Sequence, residues 1–232
     1  MFDNHYGLET AVITGRKTMT RRLATTEQPQ NAQYALFVAD GKRPMLGYFN
    51  DNKQHIFVDR AFHKLAESPY KEGDVLAVKQ SYKTVYDWMQ RIGRSPLAGE
   101  DYRLRHENSA GWQNKMFVCN DEMPFAVRIV RVDVERLQEI TDNDVLREGV
   151  ETLQDYPGVK PLYGWHYHKD AGDGRGFQQS YITPRCAFAH LIDRICGKGT
   201  WEADNIHFVY TFERCMTNYD YFGKYYKLLK VR

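Results

Sequence analysis

From Gly15 to Arg22 the chain reads Gly-Arg-Lys-Thr-Met-Thr-Arg-Arg, four cations and two hydroxyls with no acid among them. A guanidinium grips an anion through paired donors and keeps its proton, whereas a lysine ammonium can be tuned to lose one. Lys17 and Thr20 are therefore a candidate base and nucleophile, and Arg16, Arg21 and Arg22 candidate anion holders. The plain alternative is a solvated basic turn. Lys17 serves as a base only when neutral, and three neighbouring arginines push it that way, because like charge disfavours the ammonium. Geometry adds a condition. Residues three apart share a face on a turn or helix but oppose one another on a flat strand, so Lys17 and Thr20 cooperate only if the chain stays turned until about Thr20.

The 232 residues suffice for a substantial core, and 27% charged with 42% hydrophobic residues is ordinary for a globular chain. The ring content is higher than usual: 16 Tyr, 12 Phe and 4 Trp, enough to fill a β-rich core and leave some rings as stacking surfaces. A net charge of +2 excludes a whole-protein field that draws the chain onto nucleic acid, so any such binding comes from a local patch. Cys119, Cys186, Cys196 and Cys215 lack Cys-x-x-Cys spacing and read as thiols of a reducing compartment. His166 and His168 flank Tyr167 without a further ligand close by, so no metal and no cofactor are expected. Asp3, Asn4 and His5 interrupt the amino terminus and no apolar run reaches spanning length, which predicts a cytoplasmic chain with no membrane partner.

These candidates need elements to hold them. Residues 7–14 suit a short helix stopped by Gly15. Strands are expected at Tyr34–Val38, around an Asp-Gly turn, and at His55–Val58, then at Val75–Val78 and along Phe125–Val134. Thr141 caps a helix over 142–148, with Gly149 at its stop. Thr183 caps another, with Pro184 at its first position and Gly197 closing it. Phe208–Phe212 is the last core strand, and the tail from Asn218 is expected to form one more helix. Residues 87–111 read as a surface excursion. Residues 155–181 read as a long loop, suited to a lid beside a cleft or to mere decoration. The expectation is one α+β domain over residues 1–232: a small β-barrel with short flanking helices, insertions at about 30–69, 87–111 and 155–181, and an extension at 216–232.

Four blocks now stand in order: the Gly15–Arg22 run; Gly73-Asp-Val-Leu-Ala-Val; Val134-Glu-Arg-Leu-Gln-Glu-Ile-Thr with Leu146-Arg-Glu-Gly-Val; and Gly197-Lys-Gly-Thr-Trp before Phe208-Val-Tyr-Thr-Phe-Glu. Together they resemble the ASCH domain family, and more closely its long members common in bacteriophages and prophages. The resemblance implies a PUA-like β-barrel and a basic cleft facing a nucleoside or single-stranded nucleic acid. One branch of the family is a small amidohydrolase that deacetylates N4-acetylcytidine with a Lys, a Thr three residues on and a distant Glu. Those positions fall here on Lys17, Thr20 and Glu148. The chain departs from the phage pattern after Gly73-Asp74, where Lys79 replaces an Arg and Gln80 a Glu.

Glu148 ends its predicted helix, where the last carbonyls repel a carboxylate, so it is either solvated or held by a cation. Lys17 is the cation the resemblance offers, and a partly desolvated Glu148 would protonate a leaving amine. Arg16, Arg21, Arg22, Lys79 and Lys198 are the phosphate-binding candidates, and Tyr82 and Trp201 the base-stacking ones. Two functions follow: an amide hydrolase for an acylated nucleobase or nucleoside, and a non-catalytic RNA- or DNA-binding module using the same cleft.

Overall fold

Gly7 and Gly15 sit at positive φ, 68° and 80°, a conformation open to glycine at little cost, and between them they bracket the first helix, α1 (Leu8–Ile13). The computed structural model describes residues 6–27, 32–50, 62–91, 96–154, 156–165, 179–217 and 228–230. After α1 come strands β1 (Met19–Thr25), β2 (Ala32–Phe37), β3 (Met45–Asn50), β4 (Phe62–Glu67) and β5 (Val75–Ala77). Helices α2 (Tyr82–Arg91) and α3 (Pro96–His106) lead to the long strand β6 (Phe125–Arg136). Helix α4 (Asp142–Arg147), strands β7 (Glu151–Gln154) and β8 (Leu162–Gly164), and helices α5 (Pro184–Cys196) and α6 (Thr200–Ala203) follow. The described chain closes with β9 (Ile206–Thr217) and β10 (Leu228–Lys230). It is an α+β protein with a curled, half-barrel antiparallel sheet and a few short helices.

The chain divides into two compact units, Val75–Arg128 with Arg214–Arg232 and Met1–Phe2, and Asp3–Asp74 with Ile129–Glu213. The sequence shows no linker because both units are discontinuous, and β6 and β9 run from one into the other without a break in strand character. In the first unit β5 pairs antiparallel with the start of β6, and β10 with the end of β9. Its core gathers Tyr82, Val85, Met89, Tyr102, Val118 and Met123. Residues 87–111 are thus no surface excursion. Pro96 opens α3, where its missing N–H costs nothing, and Gly111 packs against the core, since a Cβ there would stand 2.5 Å from Tyr82 Cε2 and 2.9 Å from Phe117 O. Glycine and proline serve here as packing and capping residues.

In the second unit β1 pairs antiparallel with β9, which is followed by β6, and β2-β3-β4 form a separate meander joined at the Asp40-Gly41 turn. The strand expected at His55–Val58 lies outside the described residues, as do His166, Tyr167 and His168. Among the described residues of the 155–181 segment, Leu162–Gly164 form β8, whose Tyr163 bridges Tyr181, and Trp165 is buried with its ring stacked on Tyr181. Among the tail residues that are described, Leu228–Lys230 form a strand, and the remainder of the expected helix falls outside them.

Two caps match the expected chemistry. The Thr141 hydroxyl accepts from the Asp144 N–H at 3.1 Å to start α4, and that of Thr183 accepts from Cys186 N–H at 3.1 Å to start α5. Gly149, at φ 107°, turns the chain sharply out of α4 against α1, where an added Cβ would stand 3.0 Å from Leu8 Cδ2 and 3.5 Å from Lys17 Cδ. Gly149→Ala combines backbone strain with that close contact. Its expected cost is about 1–2 kcal/mol, read as a lowered urea midpoint, and an unchanged midpoint would contradict this account of the turn.

Candidate functional site

Three backbone hydrogen bonds hold the basic segment within the second unit. Lys17 N–H donates to Ala11 O at 2.9 Å, Thr18 N–H to Arg147 O at 2.9 Å, and Phe212 N–H to Thr18 O at 2.9 Å. The segment is thereby tied to α1, to the end of α4 and to β9. The first two bonds bring the Lys17 side chain to the carboxyl end of α4, where Glu148 is the capping residue.

Lys17 and Glu148 are both buried, 3% and 5% exposed, and they meet across 131 positions of sequence. Lys17 Nζ donates to Glu148 Oε2 at 2.6 Å and to the Glu148 carbonyl at 2.6 Å. A cation at that carbonyl also meets the negative end of the helix dipole. Arg21 holds the other carboxylate oxygen, its guanidinium 3.1 Å from Glu148 Oε1, and reaches Glu135 Oε2 on β6 at 2.7 Å. Of the two fates open to a carboxylate at a helix end, Glu148 has the second: it is held by cations, two of them.

The electrostatics pull Lys17 in opposite directions. Burial pushes its ammonium below the ordinary lysine range, the ion pair and hydrogen bond to Glu148 oppose this, and Arg21 and Arg22 add to the downward push. Burial prevails. The result is a lysine displaced toward the neutral form with a carboxylate within proton-transfer distance, an arrangement suited to acid–base work.

Thr20 is placed differently. The chain straightens at Met19, before Thr20, and from there successive side chains alternate across the sheet. Met19 and Arg21 take the phase that meets Glu148. Thr20 and Arg22, half-buried, take the other, opposite Tyr210 and Phe208 of β9. The turned geometry that would set Thr20 beside Lys17 thus ends one residue too early. Thr18 accepts from Arg147 Nε at 3.3 Å.

The remaining candidates separate. Arg21 is committed to two carboxylates with its side chain 1% exposed, so it is no open phosphate contact, whereas Arg16 is exposed and pairs with Glu151 at 2.5 Å at the surface. Lys198 is exposed between Gly197 and Gly199 after α5. Trp201 is half-buried on α6, with the Arg185 guanidinium 5.3 Å over its ring and Phe188 edge-on at 6.2 Å, which makes it rim packing more than a free platform. Lys79 and Tyr82 belong to the first unit. There the Tyr82 ring stacks on His106 at 3.9 Å and meets Tyr102 edge-on, its hydroxyl accepts from Cys119 N–H at 2.8 Å, and it is buried. That enclosure leaves no ring face for a base, so Tyr82 is a core residue. Among the described residues no three His, Cys, Asp or Glu side chains cluster to hold a metal, and no helix is long and apolar enough to cross a membrane.

Sequence reading missed two groups at this site, Glu135 and His207. Glu135 sits in an alternating strand segment, Val132-Asp-Val-Glu-Arg, where its acid looks like ordinary solvent-facing chemistry. His207 lies on β9 opposite Leu23, in the same pleat phase as Arg21, buried, with Nδ1 2.8 Å from Asn205 O. Burial lowers its pKa; the bond to Asn205 opposes this, the Arg21 charge adds to it, and Glu148 and Asp204 oppose it more weakly. Compared with known protein families, with characterised proteins and with solved structures, the chain matches none.

A buried histidine held neutral has a definite pH signature. Below the ordinary histidine pKa of 6.5 the unfolded chain takes up a proton that the folded chain refuses, so this contribution is complete above that pH and is lost as pH falls through the window beneath it. His207→Gln removes the titration. The fall in unfolding free energy between about pH 7.5 and 5 should then be shallower than in the parent by ~1 kcal/mol, measured by urea unfolding at each pH. Parallel pH profiles would contradict the neutral assignment.

Proposed function

We infer that the protein hydrolyses an amide on an acylated nucleobase or nucleoside, N4-acetylcytidine being the type substrate. The observation that carries this reading is the buried contact of Lys17 Nζ with Glu148 Oε2 at 2.6 Å, with burial biasing the lysine toward its neutral form. Residues separated so widely in sequence meet where the resemblance to the ASCH amidohydrolase branch sets its Lys and Glu. The nucleobase part of the reading rests on that resemblance, and so does the PUA-like form of the half-barrel.

In this mechanism neutral Lys17 accepts the proton of the attacking O–H as the C–O bond forms. The resulting ammonium passes a proton through Glu148 to the leaving nitrogen as the C–N bond breaks. Free amine and carboxylic acid are the products when water attacks. When Thr20 attacks, an acyl ester forms first and water then hydrolyses it. The pleat phase of Thr20 supports this member of the constellation least, so Thr20→Ala distinguishes the two routes. Arg22, in the same phase as Thr20, is the cation offered to a phosphate or polar edge of the substrate. The purely nucleic-acid-binding alternative keeps Arg16 and Arg22 as contacts but not Arg21, which is buried on two carboxylates of the protein itself.

Incubation with a panel of acylated nucleosides, read by mass spectrometry, tests the reading. Turnover of N4-acetylcytidine is expected, with Lys17→Met and Glu148→Gln each lowering it by about 100-fold or more. Thr20→Ala abolishes turnover if Thr20 attacks, and resembles Thr18→Ala if water does. Salt-dependent RNA or DNA affinity with no product from any acylated nucleoside would replace the hydrolase with a binding module.

A further inference from the structure

The alternation along β1 calls for an apolar residue at position 21, in the same buried phase as Met19, yet an arginine stands there with its side chain 1% exposed. Its two terminal nitrogens are engaged, one on Glu148 Oε1 at 3.1 Å and the other on Glu135 Oε2 at 2.7 Å, and its Nε is buried with no acceptor from the protein. A buried donor without a partner is destabilising. A residue kept only for packing would be an isoleucine or valine, so the charge itself needs a reason.

The reason lies in what happens when Lys17 gives up its proton. With Lys17 as its only cation, Glu148 would be left as an isolated buried carboxylate, and the proton would move to Glu148 or stay on Lys17. A guanidinium does not deprotonate. We propose that Arg21 is a positioning residue for the Lys17–Glu148 pair: it supplies Glu148 with a permanent counter-ion on Oε1, so that the carboxylate stays paired and oriented while Lys17 cycles between ammonium and amine, and Glu135 fixes the guanidinium from its far side. This rests on the hydrolase reading for its purpose, but its electrostatics stand without it.

The charge count makes the direction explicit. Lys17⁺, Arg21⁺, Glu148⁻ and Glu135⁻ sum to zero, and loss of the Lys17 proton leaves one negative charge. Removing Arg21 adds a second negative charge to the deprotonated state, which favours the ammonium and raises the Lys17 pKa. Removing Glu135 does the opposite. Among the described residues, other charged or titratable groups near the pair include Arg22 on β1, the Arg16–Glu151 and Arg147–Asp144 pairs beside it in sequence, Cys196 at the end of α5 and His207 on β9. They are common to parent and variants, so differences between these proteins isolate the two substitutions.

The test follows the Lys17 side chain by NMR in the lysine-labelled full chain, with Lys17→Arg assigning its signal. In the parent the Lys17 titration lies below the ordinary lysine range. Arg21→Met is expected to move it up by about one unit, the size of effect that a charge a few ångströms away exerts. Glu135→Gln is expected to move it down, by less, because Glu135 is partly exposed. Shifts of opposite sign are not the signature of loosened packing, which moves both variants the same way. An unchanged or lowered Lys17 titration in Arg21→Met overturns the proposal. Should that variant not fold, an unchanged or raised titration in Glu135→Gln does so. Failure of the hydrolase reading registers separately, as absence of product from N4-acetylcytidine with the Lys17 shifts still present.

Discussion

A carboxylate taken out of water at the carboxyl end of a helix faces two penalties, lost hydration and the repulsion of the terminal carbonyls. The placement of Glu148 depends on offsetting both. Lys17 offsets them from one side, touching carboxylate and carbonyl alike, and Arg21 from the other. Much of the second unit serves this contact. Gly15 ends α1 so that the chain can turn, hydrogen bonds to Ala11 and Arg147 aim the turn, and Gly149 lets α4 stop without pushing Leu8 aside. Thr141 caps the start of α4 and Glu148 its end.

The same arrangement explains why the segment is rich in cations yet poor in open ones. Arg16 and Arg21 spend their charge on Glu151, Glu135 and Glu148. Two of the four cations that composition presents as a basic patch, Lys17 and Arg21, are in the fold part of an internal ion-pair network. Such networks are weak contributors to stability, because desolvation cancels much of the Coulomb gain, and their retention is better explained by what they do to protonation states. Lys17 illustrates this. Its burial lowers its pKa even with a carboxylate in contact, which solvent-exposed pairing would not do.

How much of this was legible beforehand depends on whether a signal was local. Caps and stops are local, and Thr141, Thr183, Gly15, Gly149 and Gly197 stand where their chemistry places them. The Lys17–Glu148 contact is not local and was legible only through ordered motif blocks. The exit from the turn at Met19 rests on strand pairing with β9, a non-local event, and that is why Thr20 lies on the unexpected phase. Tyr82 misleads for the opposite reason. A tyrosine after a strand looks like a platform until α2 and α3 close a core around it, and Gly93, Pro96 and Gly99 disguise α3 as loop. Glu135 gave no signal because its partner, Arg21, lies on another strand, and His207 because its burial is a tertiary event.

The central claim is that Lys17 and Glu148 act as one buried unit, and a double-mutant cycle measures it most directly. Lys17→Met, Glu148→Gln and the double variant would be compared with the parent by urea unfolding at neutral pH. If the pair is one unit, Glu148→Gln leaves Lys17 without its carboxylate and costs about 3 kcal/mol or more, Lys17→Met costs less because Arg21 still holds Glu148, and the double change costs clearly less than the sum of the two, with a coupling of about 1.5 kcal/mol or greater. Single costs that add to the double within about 0.5 kcal/mol would contradict the account, since two independent residues cannot share the proton on which it depends.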